Sequence, residues 1–353
     1  MIYKLEHEMN VFKENNKKTR GYNMEKSNEI SIKDKRIEEL ENLAFIDLGG
    51  NKITIELLES QKYKNVEIIP IKSDSFGKKD FITLKKGYEM NLVEITELES
   101  SSVNTVLCKN EAVVPLLLIE SDEITGAMQN RIMNDTLLVP AQSSLKIPVS
   151  CTEHGRWHYK GAGKAAKIFE PSKYTADLRT RSRKHRANYR DADYQGEVWN
   201  SISEFESRNS LRSPTSALND SFENLKYKQD DYLNEFKIVE GQNGVIFIVN
   251  GELKGLELFY NHSIYKEYHE KLFRSYIIEA IVENSSEDNI ERVELMRTLE
   301  KISDSTVKSN KSIGLGDNLK FSNDFGSGSS LVYDDELIHM AFLKALDDIV
   351  INI

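Results

Sequence analysis

The densest group of side chains that could do chemistry lies in residues 120–131, directly after the apolar run 116–119. Because that run predicts a buried strand, the acids after it emerge where the strand reaches the surface. Glu120 and Asp122 could serve there as acid and base groups. Donors that could hold a phosphate, a carboxylate or a ribose follow at Gln129, Asn130 and Arg131. The alternative, favoured on residue types alone, is an internal hydrogen-bond network that braces a sheet edge.

A second polar group lies in residues 151–158, where a thiol, a carboxylate, two imidazoles and an arginine fall within eight positions. Such a set could supply a nucleophile with an acid or base partner. However, the four residues between Cys151 and Arg156 are one fewer than in the phosphate loop of cysteine phosphatases. We therefore favour a buried, structural Cys151. Glu153 and Arg156 are then expected to face a ligand, and Trp157 could stack on a base.

Metal and cofactor motifs are weakly represented. His154 and His158 are four residues apart, which suits two ligands on one helix face, but their neighbours predict strand or turn. The sequence holds no Cys-x-x-Cys pair and no His-Glu-x-x-His motif. Residues 161–164, Gly-Ala-Gly-Lys, lack the preceding strand and the spacing of a nucleotide-binding glycine loop. We predict no metal site, and the sequence identifies no cofactor.

A basic run occupies residues 179–190 and holds Arg179, Arg181, Arg183, Lys184, Arg186 and Arg190. It could bind a phosphate-rich ligand or a nucleic acid. The whole chain, however, has 47 Lys and Arg against 57 Asp and Glu, a net charge of −10. The run also lacks regularly interleaved aromatic residues. The favoured interpretation is a solvated loop that pairs with the protein's own acids, so nucleic-acid binding is not expected.

Length and composition indicate a globular protein. The chain has 353 residues, of which 39% are hydrophobic and 29% charged, and it contains no apolar run long enough to cross a membrane. Its two cysteines are too few for a disulfide scaffold. Residues 1–8 carry mixed charge without an apolar core, unlike a secretory signal. We expect a cytoplasmic protein without membrane contact.

The pattern of apolar residues predicts an α+β fold. The N-terminal half is β-rich and sandwich- or barrel-like, and the C-terminal half is helix-rich with β-hairpins. Residues 1–60 are expected to form an extension with a short helix over 32–43. The main region, 61–353, divides into a β-rich part (61–160), a basic loop (161–193) and a helical and hairpin part (194–353).

Several local predictions follow from turn residues and periodicity. Hairpins are expected to pair 103–108 with 113–119, and 137–140 with 145–150. Asn250-Gly251 supplies the positive φ angles of a tight hairpin turn, and Asp334-Asp335 marks another. Residues 326–330 are predicted to be a flexible loop. Residues 264–282 are predicted to be a long helix, and Val198, Ile202 and Phe205 share one face of a shorter helix.

A set of motifs occurs in the same order as in a known bacterial family. The motifs are residues 117–120 and 126–131, 138–140, 148–157, 195–199, 213–215, Phe259, 274–276 and His339. On these motifs the chain resembles the ADP-ribosylglycohydrolase- and rhodanese-phosphatase-associated protein domain family from Lys64 to the C-terminus. The resemblance implies association with enzymes that process ADP-ribose and NAD-derived nucleotides, or with bacterial conflict systems built on them. It implies no specific reaction and transfers no catalytic residues.

These inferences combine into a functional prediction. We expect a ligand-binding protein that could act as a hydrolase on an ADP-ribose-like or NAD-derived nucleotide, in a bacterial defence setting. Its acid and base groups are Glu120, Asp122 and Glu153. Its ligand-binding residues are Gln129 and Asn130 for ribose or base, Arg131 and Arg156 for phosphates, and Trp157. The alternative is a non-catalytic binding, sequestering or protein-interaction module, with a protein partner in place of a nucleotide.

Overall fold

The computed structural model describes residues 42–73, 79–100, 102–159, 162–186, 194–282 and 288–345. The chain divides into a unit of residues 1–43 and a unit of residues 44–353. Only Asn42 and Leu43 of the first unit are described, and Leu43 begins a strand. The rest of the helix predicted over 32–43, and of the N-terminal extension up to residue 41, lies outside the described residues.

The strands and helices are numbered in chain order. The strands are β1 (Leu43–Leu48), β2 (Asn51–Leu57), β3 (Gln61–Tyr63), β4 (Val66–Ser73), β5 (Ile82–Thr83), β6 (Val93–Glu97), β7 (Thr105–Asn110), β8 (Leu116–Leu118), β9 (Asp122–Gly126), β10 (Arg131–Met133), β11 (Leu137–Val139), β12 (Ser143–Cys151), β13 (Ile168–Thr175), β14 (Gly244–Val249), β15 (Glu252–Phe259), β16 (Thr306–Lys311), β17 (Asp317–Ser322), β18 (Gly326–Tyr333) and β19 (Glu336–Lys344). The helices are α1 (Leu84–Glu89), α2 (Leu178–Arg186), α3 (Tyr194–Arg208), α4 (Leu218–Leu233), α5 (His262–Val282) and α6 (Arg292–Ser303), with one 3-10 turn at Ala165–Lys167. The α+β prediction, β-rich first and helix-rich later, is confirmed.

A ten-stranded sheet has the order β1-β2-β4-β14-β15-β19-β18-β17-β16, with β3 paired to β4. The central strand β14 is buried on both faces, and its side chains alternate between them. Ile246 and Ile248 of β14 pack in one apolar cluster with α6. Phe247, between them, packs in another cluster with α5 and stacks on Tyr276, with the ring centroids 4.0 Å apart. The sheet therefore has an α5 face and an α6 face.

Both predicted hairpin turns of this sheet are confirmed. Asn250 and Gly251 join β14 to β15 with φ angles of 52° and 73°. Asp334 and Asp335 join β18 to β19 with φ angles of 50° and 62°. These positive angles suit Asn, Asp and Gly, which tolerate the left-handed region better than other residues. Turn chemistry in the sequence was sufficient to place both.

Six strands close into a barrel in the order β10-β12-β7-β6-β13-β9. Alternate residues of neighbouring strands, including Ile95, Val106, Ile124, Val149 and Phe169, form its apolar cluster. The barrel-like expectation is correct, but both predicted hairpins in this region are wrong. β7 pairs with β12 and β6, whereas β8 and β11 pair with each other in a separate sheet of order β11-β8-β5. The runs Leu116–Leu118 and Leu137–Val139 are buried at every position, so neither has the polar face of a surface hairpin.

Two segments predicted as loops contain regular structure in the residues that are described, while 161 and 187–193 of the basic segment lie outside them. The basic segment holds β13 and α2, and Asp177 begins α2 by accepting hydrogen bonds from the backbone N–H groups of Arg179 and Thr180 (3.0 and 3.2 Å). Residues 326–330 belong to β18. Glycine is needed there because a side chain at Gly326 or Gly328 would clash with the Phe342 or Phe321 ring. The Gly and Ser residues reflect close packing rather than flexibility.

Helical periodicity predicted structure more reliably than the strand and loop patterns did. The helix predicted over 264–282 is α5. Val198, Ile202 and Phe205 of α3 are all buried in one cluster, as predicted. Both helices carry the apolar spacing that a helix needs to cover a core.

Candidate functional site

Glu153 and Arg156 form a buried ion pair just beyond β12. The Arg156 Nη2 lies 2.6 Å from Glu153 Oε2, and its Nε donates to Oε1 at 2.9 Å. The other Arg156 hydrogen bonds go to the Asn130 side chain and to three backbone carbonyls, those of Gly126, Ala127 and His158. Both predicted site charges are therefore paired within the chain.

Gln129, Asn130 and Arg131 meet this pair, so the two polar segments of the sequence do come together. The Gln129 amide donates to the Glu153 carbonyl (2.8 Å), and the Asn130 backbone N–H donates to Glu153 Oε2 (3.2 Å). Arg131 is fully buried, and its Nη2 lies 3.6 Å from Glu97 Oε1. We call these residues, with Glu153 and Arg156, the barrel-end network. Its geometry is that of a brace between β9, β10 and β12.

Burial and the Arg156 charge both shift pKa values in the barrel-end network. Burial alone would raise the pKa of Glu153, but hydrogen bonds and charge from Arg156 outweigh it and lower the pKa. Burial raises the pKa of Glu97, and it lowers the pKa of Arg131. Trp157, by contrast, is 51% exposed beside the network. Of the residues predicted here, Trp157 alone presents most of its surface for stacking.

Cys151 is buried in the same network. Its thiol lies 3.1 Å from Gln129 Oε1, a polar partner that it can reach without ionising. Burial raises the pKa of the thiol to about 11. The other cysteine, Cys108, is also buried, and burial raises its pKa to about 12. Neither residue has the exposed, low-pKa thiolate of a nucleophilic cysteine.

We expect the native protein to be unreactive toward a thiol reagent at pH 8. The thiolate is the reactive form, and both cysteines are buried and protonated there. Dithionitrobenzoate titration should therefore release no thionitrobenzoate from folded protein, and two equivalents in denaturant because the chain has two cysteines. Rapid labelling of one cysteine before unfolding would contradict this assignment.

A second cluster of ionisable side chains lies on the α5 face of the ten-stranded sheet. It is built by five different elements and the β8–β9 turn. We call it the interior cluster, and its members are Glu120, Asp122, Arg181, His185, Glu257, Lys271 and His339. The predicted acids Glu120 and Asp122 belong to it, whereas Glu153 belongs to the barrel-end network. The three predicted catalytic carboxylates are thus divided between two sites.

The turn that carries the two predicted acids has an unusual backbone. Ser121, between Glu120 and Asp122, is fully buried and has a φ of 64°. Its carbonyl accepts hydrogen bonds from the Ala176 N–H (3.0 Å) and the Thr175 hydroxyl (2.7 Å), which hold it in place. A non-glycine residue in the left-handed region carries strain that the surroundings must support. This turn directs both flanking carboxylates toward one cavity.

Glu120 and His185 form a buried acid–base pair. His185 Nε2 contacts Glu120 Oε1, and the other carboxylate oxygen accepts the Ser329 hydroxyl at 2.6 Å. His185 Nδ1 lies 3.2 Å from the Ser327 carbonyl oxygen, which only accepts. Nδ1 therefore carries a proton, so the proton between Nε2 and Glu120 belongs to either the imidazole or the carboxyl group. The pair can hold one exchangeable proton.

Arg181 and Glu257 form the centre of the interior cluster. Arg181 Nη2 contacts Glu257 Oε1, which also accepts the Tyr276 hydroxyl at 3.1 Å. Gly255 makes this approach feasible, because a side chain at that position would clash with the Tyr276 hydroxyl. Among the described residues, Nε and Nη1 of Arg181 have no hydrogen-bond partner. Although burial opposes it, the Arg181 charge lowers the pKa of Glu257.

Asp122 and Lys271 close the cluster toward the surface. Lys271 Nζ lies 2.5 Å from Asp122 Oδ1, and the Tyr268 hydroxyl lies 3.4 Å from Oδ2. Burial raises the pKa of Asp122, and Lys271 opposes part of that effect. The Asp122 side chain is almost fully buried, and the Lys271 side chain is 12% exposed. The buried carboxylate is thus paired with an ammonium group whose side chain still reaches the surface.

A cavity of about 10 Å³ lies between these groups. Its polar lining is Glu120, Asp122, Thr175, Arg181, Glu257, Tyr268 and Lys271. That volume holds about one water molecule, and the lining offers more than the two to four polar partners that a buried water needs. Chemically, the arrangement can position one water, or one small reacting group, between carboxylates and a guanidinium donor.

Glu123, the remaining acid of the turn, points elsewhere. Its carboxylate accepts hydrogen bonds from Thr152 (3.0 Å), Ser172 (2.9 Å) and Asn219 (3.3 Å). Burial raises its pKa to about 7, against the effect of these donors. Glu123 therefore links β9 to the barrel-end segment and to α4, and it lies apart from the acids that line the cavity.

Sequence reasoning missed most of the interior cluster. Arg181 was grouped with a solvated loop, and Lys271 and His185 were not singled out. Arg179 and Arg181 do pair with the protein's own acids, Glu279 and Glu257, but Arg181 is buried rather than solvated. One signal was available: Glu257 stands between Leu256 and Leu258 in an apolar run, and a charge in such a run is rarely buried without a partner.

The described residues show neither a metal-binding group nor a membrane-spanning helix. Within them, no group of three or more His, Cys, Asp or Glu side chains could hold a metal ion. His154 and His158, the weak metal pair, are both exposed, and His154 packs edge-on against Trp199. None of the described helices combines the length and apolar character needed to span a bilayer.

Comparison with known proteins identifies the family. Neither a curated protein nor a solved structure matches the chain. One family model does match, over residues 54–343, and its description is ARG and Rhodanese-Phosphatase-superfamily-associated Protein domain. The match covers most of the chain, including the barrel, the ten-stranded sheet from β2 onward and both polar clusters. The chain therefore belongs to the ARG and Rhodanese-Phosphatase-superfamily-associated Protein domain family.

Proposed function

We propose that the protein binds and hydrolyses an ADP-ribose-like or other NAD-derived nucleotide at the interior cluster. The family description, which records an association with ADP-ribosylglycohydrolase, supports the substrate class. The chemistry of the interior cluster supports hydrolysis. A bacterial defence setting is consistent with such a substrate.

The observation that carries this proposal is the Arg181 guanidinium. It is buried, and two of its nitrogens lack a hydrogen-bond partner among the described residues, although an unpaired buried donor is costly. The same side chain lines the cavity with Asp122 and Glu120. A substrate oxygen or an attacking water in that cavity would satisfy the unpaired donors. Arg181 would then stabilise negative charge that develops during hydrolysis.

Asp122 is the residue that we assign as the general base or acid. Burial raises the pKa of Asp122, so its carboxylate takes up a proton more readily than an exposed one. A carboxyl group of this kind can accept a proton from water or donate one to a leaving group. The cavity accommodates only the reacting group, so the rest of a nucleotide would lie outward, beyond the mostly buried Lys271 side chain. The Lys271 ammonium can pair there with a phosphate.

The test is incubation of the protein with NAD, ADP-ribose and cyclic ADP-ribose, followed by chromatography and calorimetric titration. We expect turnover of at least one of them, and a loss of about 100-fold or more in the Asp122→Asn variant, because a positioned acid or base contributes about that much. Asp231→Asn is the matched control, since Asp231 pairs with Lys64 on the surface. Absence of both turnover and binding would refute the proposal.

A non-catalytic binding or protein-interaction role is the second candidate. It is favoured by the barrel-end network, whose polar groups contact one another, and by Trp157, which is exposed on the braced segment. An exposed aromatic residue with a fixed backbone is a typical anchor for a partner. Stoichiometric binding of an unchanged nucleotide, or no nucleotide binding at all, would support this role.

A further inference from the structure

A chain of three polar side chains runs from the centre of the interior cluster to the β10–β11 loop. Glu257 Oε2 lies 3.3 Å from His339 Nε2. On the other side of the ring, His339 Nδ1 lies 3.0 Å from the Thr136 hydroxyl. All three residues are buried. A carboxylate, an imidazole and a hydroxyl thus stand in line, each from a different part of the chain.

The hydrogen bonds around Thr136 determine which atom is the donor in each contact of this row of side chains. The Glu120 backbone N–H donates to Thr136 Oγ1 at 3.1 Å, so the hydroxyl proton is available for His339 Nδ1. His339 then carries its own proton on Nε2, facing Glu257. Among the described residues, neither His339 Nε2 nor Glu257 Oε2 makes a hydrogen bond, and the 3.3 Å contact between these two atoms is the gap that a proton would have to cross.

The row of side chains formed by Glu257, His339 and Thr136 reaches a cavity at each end. Glu257 lines the cavity of the interior cluster. Thr136 lines a second cavity, also about 10 Å³, together with Asp135, Lys320, Ser329 and Ser330. Lys320 Nζ lies 3.6 Å from Asp135, and the Lys320 side chain is one-third exposed, so this end approaches solvent. Each cavity has room for about one water molecule.

We propose that Thr136, His339 and Glu257 form a proton relay that connects these two cavities. A water molecule in the cavity beside Asp135 would give a proton to the Thr136 oxygen, leaving hydroxide in that cavity, while the hydroxyl proton passes to His339 Nδ1. The Nε2 proton then passes to the Glu257 carboxylate, and Glu257 lines the interior cavity. The net result is the transfer of one proton, and the reverse sequence restores the starting tautomer. Imidazole suits this role because its two nitrogens can be donor and acceptor at once.

The relay differs from a static hydrogen-bond network in one measurable respect. In a static network the proton on buried His339 would exchange with water only when the protein opens, and exchange would be slow. In a relay the same proton exchanges through Thr136 without opening. This distinction requires no substrate, so it can fail or succeed independently of the proposed hydrolysis.

The experiment uses the full-length protein labelled with ¹⁵N-histidine, with the His339 resonances assigned by their loss in the His339→Gln variant. We expect the proton on Nε2, and exchange with water about 10-fold slower or more in Thr136→Val, which removes the hydroxyl but keeps the shape. Thr136→Ser should restore fast exchange. Thr152→Val is the matched control, because Thr152 is a buried threonine bonded to a different acid, Glu123.

Two results would overturn the relay. The first is a wild-type His339 proton that exchanges as slowly as the one in Thr136→Val. The second is a proton on Nδ1 instead of Nε2, because the hydroxyl could then no longer donate to the ring. If Thr136→Val does not fold, the comparison of wild type with Thr136→Ser and the tautomer measurement still decide the question.

Discussion

Replacing Arg181 with methionine is expected to lower the free energy of unfolding by about 3–5 kcal/mol, the usual cost of breaking a buried ion pair from one side. The variant leaves the Glu257 carboxylate buried without its guanidinium partner, with the Tyr276 hydroxyl and His339 still near it. Methionine fills a similar volume, so the loss comes from the charge rather than from a cavity. Urea denaturation followed by circular dichroism measures it.

Two comparisons separate this effect from general damage to α2. Arg179→Met, on the same helix, should cost only about 1 kcal/mol, because Glu279 keeps Arg208 as a partner at 3.3 Å. The double variant Arg181→Met with Glu257→Gln should recover at least about half of the loss, since no unpaired charge remains. A double variant less stable than Arg181→Met would show that the charge pair is not the cause.

Replacing Arg156 with alanine is expected to have an effect of similar size, about 3–5 kcal/mol, at the barrel-end network. Arg156 makes six hydrogen bonds, two of them to Glu153 and three to backbone carbonyls. Its loss leaves a buried carboxylate and three carbonyl oxygens without their donor. Thermal and urea denaturation of the variant measure the cost.

The neighbouring residue provides the control for this prediction. Trp157→Ala removes a larger side chain from the same segment, but that side chain is half exposed and should change stability by no more than about 0.5 kcal/mol. Equal losses for the two variants would mean that the segment is sensitive to any substitution. In that case, the hydrogen bonds of Arg156 would not explain the result.

The Arg156 variant should also change the acid dependence of stability. The pKa of Glu153 is lowered from its ordinary 4.5, so its contribution is present above pH 4.5 and is lost as the pH falls through the folded-state value. Without Arg156, burial dominates and the folded pKa rises instead. The wild type should therefore lose the Glu153 part of its stability advantage over Arg156→Ala as the pH falls below 4.5, while the part from the backbone carbonyls remains. An advantage that persists unchanged at pH 2 would contradict this linkage.

The two polar clusters differ in how their buried charges are paired. The turn at residues 120–123 reaches both, because Glu120 and Asp122 belong to the interior cluster and Glu123 contacts the barrel-end segment through Thr152. In the barrel-end network, Glu153 and Arg156 satisfy one another and the surrounding backbone, which makes a brace. In the interior cluster, Arg181 keeps donors without partners and borders a cavity. Arg131 of the barrel-end network also keeps Nε and Nη2 without a hydrogen-bond partner among the described residues, so what sets Arg181 apart is that it borders the cavity as well. For this reason, we place the proposed chemistry at the interior cluster.

The sequence by itself determined the features that depend on neighbouring residues. Periodicity placed α5 and the buried face of α3, and turn chemistry placed the hairpins at Asn250-Gly251 and Asp334-Asp335. The motifs around Gln129 and Cys151 also identified the family. These signals are local because they arise from side-chain spacing and backbone preferences within a few residues.

The tertiary structure alone decided strand pairing and the composition of the interior cluster. The fully buried strands β8 and β11 have no polar face to indicate their register, so sequence reasoning paired them with the wrong neighbours. Arg181 and Glu257 are 76 residues apart, and Thr136 and His339 are 203 apart. The residues around one partner of such a pair give no information about the other partner. The two groups interact strongly only after folding has brought them together and removed both from water.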